Sequence, residues 1–184
     1  MKQKDKNLKV TNTLIVLNLI IFILSEYVLS TNLVMSYFGL NYLFFSGFYW
    51  QVFTTMFLHA SFLHVAMNMA VLYQFGCILE RYFGSLKFGF IYIIGGVITS
   101  VLSLAYTYYM ARHGVVVNLV GASGAISVLL GVLAKLDKNM RNGLIMAILV
   151  ISFVPMLVGI RVGWYAHLFG FGIGYLYAKI SLKR

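Results

Sequence analysis

The chain alternates long apolar runs with short segments that carry charges, glycines and polar side chains. Each run is close to the roughly 20 residues that a helix needs to cross a bilayer core about 30 Å thick. We therefore predict membrane-spanning helices near residues 12–30, 59–79, 86–110, 121–136, 143–160 and 163–180. This pattern indicates an all-α polytopic membrane protein, with one six-helix domain over 12–184 and a short cytoplasmic segment over 1–11.

Composition and charge support a membrane location. Of the 184 residues, 61% are hydrophobic and 10% charged, and the mean hydropathy is +0.91, which is outside the range of soluble domains. A net charge of +10 would suggest nucleic-acid binding in a soluble protein, but membrane proteins retain Lys and Arg on cytoplasmic loops. If the N-terminus is inside, Arg112 and Arg161 alone lie on outer segments. The other twelve of the 14 basic residues lie on inner segments: Lys2, Lys4, Lys6, Lys9, Arg81, Lys87, Lys135, Lys138, Arg141, Lys179, Lys183 and Arg184. We therefore predict that both termini are cytoplasmic, and we expect no nucleic-acid partner.

Three local features complete this picture. The first apolar run resembles a signal peptide but lacks a small-x-small cleavage site and precedes further spans, so we interpret it as a retained helix. The single Cys77 excludes an internal disulfide and predicts a small buried residue. Residues 31–58 are uncharged and rich in aromatic residues and glycine. We predict that they lie in the outer interface, or alternatively that they simply pack against the bundle.

Polar side chains inside three spans recur at one depth. Ser123, His167 and Asn68 each lie 12 residues before the first charged residue at the predicted cytoplasmic end of their span. At 1.5 Å per residue, each side chain lies about 18 Å above the inner boundary. His64 precedes Asn68 by one turn on nearly the same helical face. Since polar groups inside a membrane usually face the bundle interior, we expect these four to converge.

Small residues accompany two of these side chains in stripes. In the last span the stripe consists of Gly163, His167, Gly170 and Gly174, and in the fourth span of Ser123, Gly124, Ser127 and Gly131. Such stripes let helix backbones approach closely in a membrane. We therefore predict that the two spans cross with Ser123 within hydrogen-bond reach of His167. The glycines predicted to pack at the site are Gly121, Gly124, Gly170 and Gly174.

This constellation provides the groups needed for acyl transfer. A serine hydroxyl becomes a strong nucleophile when a neutral imidazole takes its proton, and the resulting oxyanion needs fixed hydrogen-bond donors. Asn68, His64 and the backbone N–H of Ser123 are candidate donors. A carboxylate that could complete a triad is absent from the spans, since the acidic residues fall at predicted span ends or on the cytoplasmic side: Asp5, Glu26, Glu80 and Asp137. We therefore predict a Ser–His dyad without metal or cofactor.

Each of these residues, taken alone, has a simpler interpretation. A serine in a small-residue stripe is usually a packing residue, and an intramembrane histidine or asparagine often serves only as an interhelical hydrogen-bonding group. Their joint placement at one depth favours the catalytic interpretation. We assign His59 and His113 to the outer side, with His113 in a solvated loop and His59 bracing the loop before the second span.

At this point the sequence resembles the rhomboid intramembrane serine proteases of the compact six-helix bacterial type. The family patterns are HxxxxHxxxN, GxSG, AHxxGxxxG, and a glutamate with a glycine after the second helix. The matching stretches are "HASFLHVAMN" (59–68), "GASG" (121–124), "AHLFGFGIG" (166–174) and "LERYFGS" (79–85). The resemblance implies that Ser123 is the nucleophile, His167 the general base, and His64 and Asn68 oxyanion donors. It also implies cleavage of single-span membrane proteins near small residues, without a cofactor, at a site that admits water from the outer side. Residues 31–58 then resemble the embedded first loop, and residues near 155–166 the loop that caps the site.

Two positions depart from the family pattern. Many members have a Trp-Arg pair in the first loop, but here Gln51 follows Trp50, which removes a charged anchor. Some members stack an aromatic residue on the histidine from one turn after the nucleophile, where this chain has Ser127, so we expect another contact to hold the base.

Three other functions compete with proteolysis. An inactive rhomboid-like protein would bind membrane clients through the same fold, and a transporter or channel would use the polar layer as a pathway. A haem or metal protein fits less well, because His64 and His167 lack supporting ligands and the HExxH motif is absent.

Overall fold

A computed structural model describes residues 8–182 of the chain, which fold as an all-α helical bundle. Several predictions concern residues outside this range and stay predictions. They include most of the cytoplasmic segment 1–11, and the charged residues Lys2, Lys4, Asp5, Lys6, Lys183 and Arg184.

The first third of the described chain contains one long helix and a compact, irregular segment. Helix α1 (Lys9–Ile23) continues through a π-helical turn, Leu24–Val28. Helices α2 (Thr31–Phe38) and α3 (Gln51–Thr54) follow, with short 3₁₀ turns at Tyr42–Ser46 and Thr55–Phe57.

The rest of the described chain consists mainly of helical segments of 14 residues or more. Helix α4 (Phe62–Val71) is joined by a π-helical turn, Leu72–Gly76, to α5 (Cys77–Phe83). The remaining helices are α6 (Ser85–Arg112), α7 (Ser123–Leu136), α8 (Lys138–Leu157) and α9 (Trp164–Ser181).

These helices match the six predicted spans. Among the described residues, four helical segments are long and apolar enough to cross a membrane: Lys9–Val28, Phe62–Phe83, Ser85–Arg112 and Lys138–Leu157. The fourth predicted span is the shorter apolar helix α7, with 14 residues, and the sixth is α9. The prediction of an all-α polytopic bundle is confirmed.

Local capping explains where the predicted boundaries were wrong. The second span starts at Phe62 rather than at 59, because the Ser61 side chain accepts a hydrogen bond from the His64 N–H and so caps the helix. The fifth span starts at Lys138 rather than at 143. Its cap is the Asp137 carboxylate, which accepts from Asn139 N (2.8 Å) and Met140 N (3.3 Å).

Glu80 joins three helix ends. Its side chain is buried, and its carboxylate accepts hydrogen bonds from Val10 N (3.0 Å), Thr11 N (2.8 Å) and the Ser85 hydroxyl (2.6 Å). A carboxylate at a helix N-terminus satisfies unpaired amides and the helix dipole. Glu80 therefore fixes the start of α1 beside the end of α5. This placement is expected for two consecutive spans, because the first begins and the second ends on the same side of the membrane.

Gln51 organises the segment 31–58. Its fully buried amide donates to Ser36 O (3.1 Å) and Tyr37 O (3.3 Å), while its oxygen accepts from Asn41 N (3.2 Å). The neutral Gln51 side chain, which stands where many rhomboids have an arginine, thus hydrogen-bonds to three backbone groups of this segment. Aromatic side chains of this segment remain exposed, as an interfacial location would require: Tyr37, Tyr42, Tyr49 and Trp50.

Helix α7 forms the centre of the bundle. Every residue from Ala125 to Ala134 is buried, and the helix packs against α6, α8 and α9. Its closest neighbour is α9, where a Cβ at Gly174 would overlap the backbone carbonyl of Val128. A Cβ at Gly131 would likewise overlap the Phe171 carbonyl. The two small-residue stripes therefore face each other, and the backbones are nearly in contact.

Candidate active site

Ser123 is the first residue of α7 and directly follows the irregular segment 115–122. The turn is made by Gly121, whose φ of +122° disfavours residues with a side chain. Gly121 therefore lies just outside α7, and it packs against His64 of α4, where a Cβ would lie 2.8 Å from the ring; its role in helix packing at the site stays a prediction. Its role is to make the turn that presents Ser123 at the end of the helix.

The structure places Ser123 beside His167. The Ser123 Oγ and His167 Nε2 atoms are 3.0 Å apart, while the imidazole is buried and Ser123 is half-buried. This distance depends on Gly170, one turn after His167, where a Cβ would overlap the Gly124 carbonyl. The close crossing of α7 and α9 therefore sets the distance between the hydroxyl and the ring.

His64 reaches the same region from α4. A Cβ at Gly121 would lie 2.8 Å from His64 Nε2 and 3.6 Å from Ser123 Oγ, so both polar atoms lie next to this glycine. The His64 Nδ1 atom accepts a hydrogen bond from Ala60 N (3.5 Å), which leaves Nε2 to carry the ring proton. His64 can thus present an N–H donor on the side of Ser123.

Asn68 lies one turn further along α4 and is buried. Its amide donates to the carbonyl of His64 at 2.9 Å, which occupies one of its two hydrogens. The hydrogen bond supports α4 below His64, and the second amide hydrogen is available to another acceptor.

The backbone N–H groups of the two residues that precede Ser123 both have hydrogen-bond acceptors. The Gly121 N–H donates to Thr55 O (3.0 Å), and the Ala122 N–H to His59 Nε2 (3.5 Å). The Ser123 N–H is at the start of a helix, where amides have no intrahelical acceptor. An oxyanion beside the Ser123 hydroxyl would therefore find a donor in this amide.

Sequence analysis missed Ser152, which contacts the other side of the His167 ring. Its Oγ lies 3.2 Å from His167 Nδ1 and donates to the Ile148 carbonyl at 2.6 Å. The available signal was a single hydroxyl in the apolar run of the fifth span, which by itself is typical of helix packing. Ser127, where an aromatic residue would stack in some relatives, instead donates to the Ser123 carbonyl (2.7 Å).

The other two histidines, His59 and His113, lie outside the Ser123–His167 pair. His59 is fully buried, and its ring packs edge-on against His64 with centroids 5.0 Å apart. His113 is exposed, and its Nδ1 lies 2.8 Å from the Tyr109 carbonyl. Together, a hydroxyl beside an imidazole, with N–H groups close by, form an arrangement suited to acyl transfer.

Comparison with known proteins places the chain in a family. The family model of the Rhomboid domain matches residues 46–184. The chain is 36% identical to RHOMBOID-like protein 1 of Arabidopsis thaliana over 144 residues, which are 73% of this chain and 35% of that protein. It is 32% identical to RHOMBOID-like protein 4 of the same plant, over 69% of this chain and 32% of the relative. It is 27% identical to the rhomboid protease GlpG of Haemophilus influenzae, over 68% of this chain and 66% of the relative.

The chain thus spans about a third of the length of these two plant relatives, and about two thirds of the bacterial one. The match to the family model covers most of the chain, including all four residues of the predicted site, and the bundle is the polytopic helical bundle of that family. The resemblance predicted from the motifs is confirmed, and the chain belongs to the rhomboid family.

Proposed function

We propose that this chain is an intramembrane serine endopeptidase in which Ser123 and His167 act as a catalytic dyad. The observation that carries the proposal is the 3.0 Å separation of Ser123 Oγ and His167 Nε2 inside a bundle of apolar helices. Membership of a family that includes the rhomboid protease GlpG of H. influenzae supports the same activity.

In the first half of the reaction, Ser123 Oγ attacks the carbonyl carbon of a peptide bond while His167 Nε2 takes the hydroxyl proton. The carbonyl oxygen becomes an oxyanion that accepts hydrogen bonds from the Ser123 amide and from His64 or Asn68. His167 then returns the proton to the leaving amine, the C–N bond breaks, and an acyl-enzyme remains.

Water completes the cycle in the second half. His167 takes a proton from the water as its oxygen attacks the acyl carbon, and the proton then returns to Ser123 Oγ as the ester bond breaks. The net reaction is hydrolysis of one peptide bond, and the dyad ends in its starting protonation state. The chain's own residues supply each of these roles, so the mechanism uses no metal or cofactor.

The substrates that fit this site are single-span membrane proteins. The cavity beside Ser123 has a volume of only about 10 Å³ and is lined in part by Gly96, Gly124, Ala125 and Ala166. Because a cavity of this size excludes large side chains, the proposed cut lies near small substrate residues. We further propose a location in the cell membrane with both termini cytoplasmic and the site open to the outer side, on the basis of the Lys and Arg distribution.

The test is cleavage of a panel of single-span fusion proteins by the purified chain in detergent and in liposomes, with mass spectrometry of the products. Ser123→Ala and His167→Ala should each abolish cleavage with little change in melting temperature. Asn68→Ala should retain partial activity, because one oxyanion donor contributes about a hundred- to a thousandfold. The matched controls are Ser103→Ala, a buried serine of α6, and His113→Ala, an exposed histidine.

Specific outcomes would contradict the proposal. Cleavage that survives Ser123→Ala would refute the dyad. If a mechanism-based serine-protease probe does not label the folded chain, and the panel stays uncut, the chain acts by binding clients without hydrolysis. Ion or solute flux in liposomes that survives Ser123→Ala would instead indicate a transport pathway.

A further inference from the structure

Ser152 lies on the side of His167 that faces away from Ser123. The buried residues of α8 are Leu144, Ile148 and Ser152, which follow one another at four-residue spacing and so form one stripe. The last of them places a hydroxyl against the ring, at 3.2 Å from Nδ1. Ser152 is fully buried and His167 nearly so, and a hydrogen bond at such a site competes little with water.

Counting protons shows which partner donates. A serine hydroxyl has one hydrogen, and the Ser152 Oγ lies 2.6 Å from the Ile148 carbonyl, a distance that requires this hydrogen between the two oxygens. Ser152 Oγ can therefore only accept from His167, so Nδ1 carries the ring proton. In neutral imidazole this leaves the lone pair on Nε2, which is the atom 3.0 Å from Ser123 Oγ.

We propose that Ser152 is a positioning residue that holds His167 in the Nδ1–H tautomer. This inference rests on the proposed function of His167 as the general base. The same task falls to a buried carboxylate in Ser-His-Asp hydrolases, where the third residue selects tautomer and ring orientation. A neutral hydroxyl selects them as well but adds no negative charge to stabilise the imidazolium. Ile148, Ser152, His167 and Ser123 thus form one directional chain of hydrogen bonds.

The effect on rate follows from the size of one neutral hydrogen bond. Such a bond contributes about 0.5–1.5 kcal/mol, which corresponds to a rate change of about 2- to 13-fold. We expect Ser152→Ala to lower kcat by about this factor with KM unchanged, because Ser152 does not touch the substrate. Ser152→Thr retains a hydroxyl that can bond to the carbonyl four residues earlier, and should restore much of the rate.

A direct test measures the tautomer itself by nitrogen-15 NMR of the full-length chain with labelled histidine. The four histidines are assigned by comparison with single His→Ala variants. In the wild-type chain at neutral pH, His167 should show a protonated Nδ1 and an unprotonated Nε2. In Ser152→Ala the two nitrogens should shift toward a tautomer mixture, whereas the matched control Ser103→Ala, which removes another buried bond to the carbonyl four residues earlier, should leave them unchanged.

The outcomes separate this inference from the proposed function. A wild-type His167 with its proton on Nε2 would overturn the role of Ser152, even if cleavage depends on Ser123. The same holds for a Ser152→Ala variant that keeps both its ring-nitrogen shifts and its kcat. If cleavage does not depend on Ser123, the protease proposal fails, and the NMR measurement still decides the tautomer. Because the wild-type spectrum is sufficient for a refutation, a variant that fails to fold leaves the test intact.

Discussion

Gly170→Ala should separate the dyad while leaving the bundle folded. The new Cβ would overlap the Gly124 carbonyl and lie 3.0 Å from Ser127 Cβ. A backbone carbonyl cannot turn aside as a side chain can, so the only relief is to move α9 away from α7. Ordinary contact between carbon atoms is at about 3.5–4.0 Å, and the required shift is therefore on the order of 1 Å.

This shift has unequal effects on activity and stability. Moving His167 by 1 Å lengthens its 3.0 Å distance to Ser123 to about 4 Å, which no longer forms a hydrogen bond. A misplacement of this size costs about a hundredfold in rate, whereas overpacking costs about 1–3 kcal/mol of stability. We therefore expect a hundredfold fall in kcat together with a modest fall in melting temperature.

The assay compares initial cleavage rates and thermal unfolding in the same detergent. The matched control is Gly172→Ala, two residues along the same helix, where a Cβ would meet nothing within 4 Å. It should cleave at the wild-type rate. If Gly170→Ala cleaves as fast as Gly172→Ala, the close crossing does not set the dyad geometry and the reasoning is refuted.

Two further predictions concern buried polar anchors. Glu80→Gln should lower the unfolding free energy by about 1–3 kcal/mol, because a charged acceptor of two helix-terminal amides is lost; denaturant unfolding in micelles checks this, with exposed Glu26→Gln as the unaffected control. Gln51→Ala should speed proteolysis within residues 31–50, because buried backbone groups lose their partners. The control Gln74→Ala, at an exposed position, should not change the rate of this proteolysis. Equal rates for the two variants would contradict the role of Gln51.

Much of the fold could be predicted because the bilayer imposes simple rules. Apolar runs near 20 residues indicated the spans, and the stripes around His167 and Ser123 indicated which faces meet. The pairing of α7 with α9 could be predicted because small residues at four-residue spacing in a membrane helix usually mark a close contact with another helix.

The features that sequence analysis missed depend on tertiary contacts. Ser152 was missed because the rotation of α8 is set by packing against its neighbours, and one serine in an apolar helix does not reveal which way it faces. Gln51 and Glu80 bond to backbone groups, and backbone groups leave no pattern in the sequence. The π-helical turn at Leu72–Gly76 changes the helical period between Asn68 and Glu80. Counting residues back from Glu80 at a constant rise of about 1.5 Å therefore gives an inaccurate depth for Asn68.

The shortness of α7 has a consequence for the supply of water. Fourteen residues extend about 21 Å, whereas the hydrocarbon layer is about 30 Å thick. A helix of this length that reaches one face of the layer ends about two turns short of the other. If α7 reaches the inner face with its last turn, its first residue, Ser123, lies about two turns below the outer face. The hydrolysis proposed above consumes water that lipid tails exclude, and a nucleophile at this shallow depth shortens the path that water must cover.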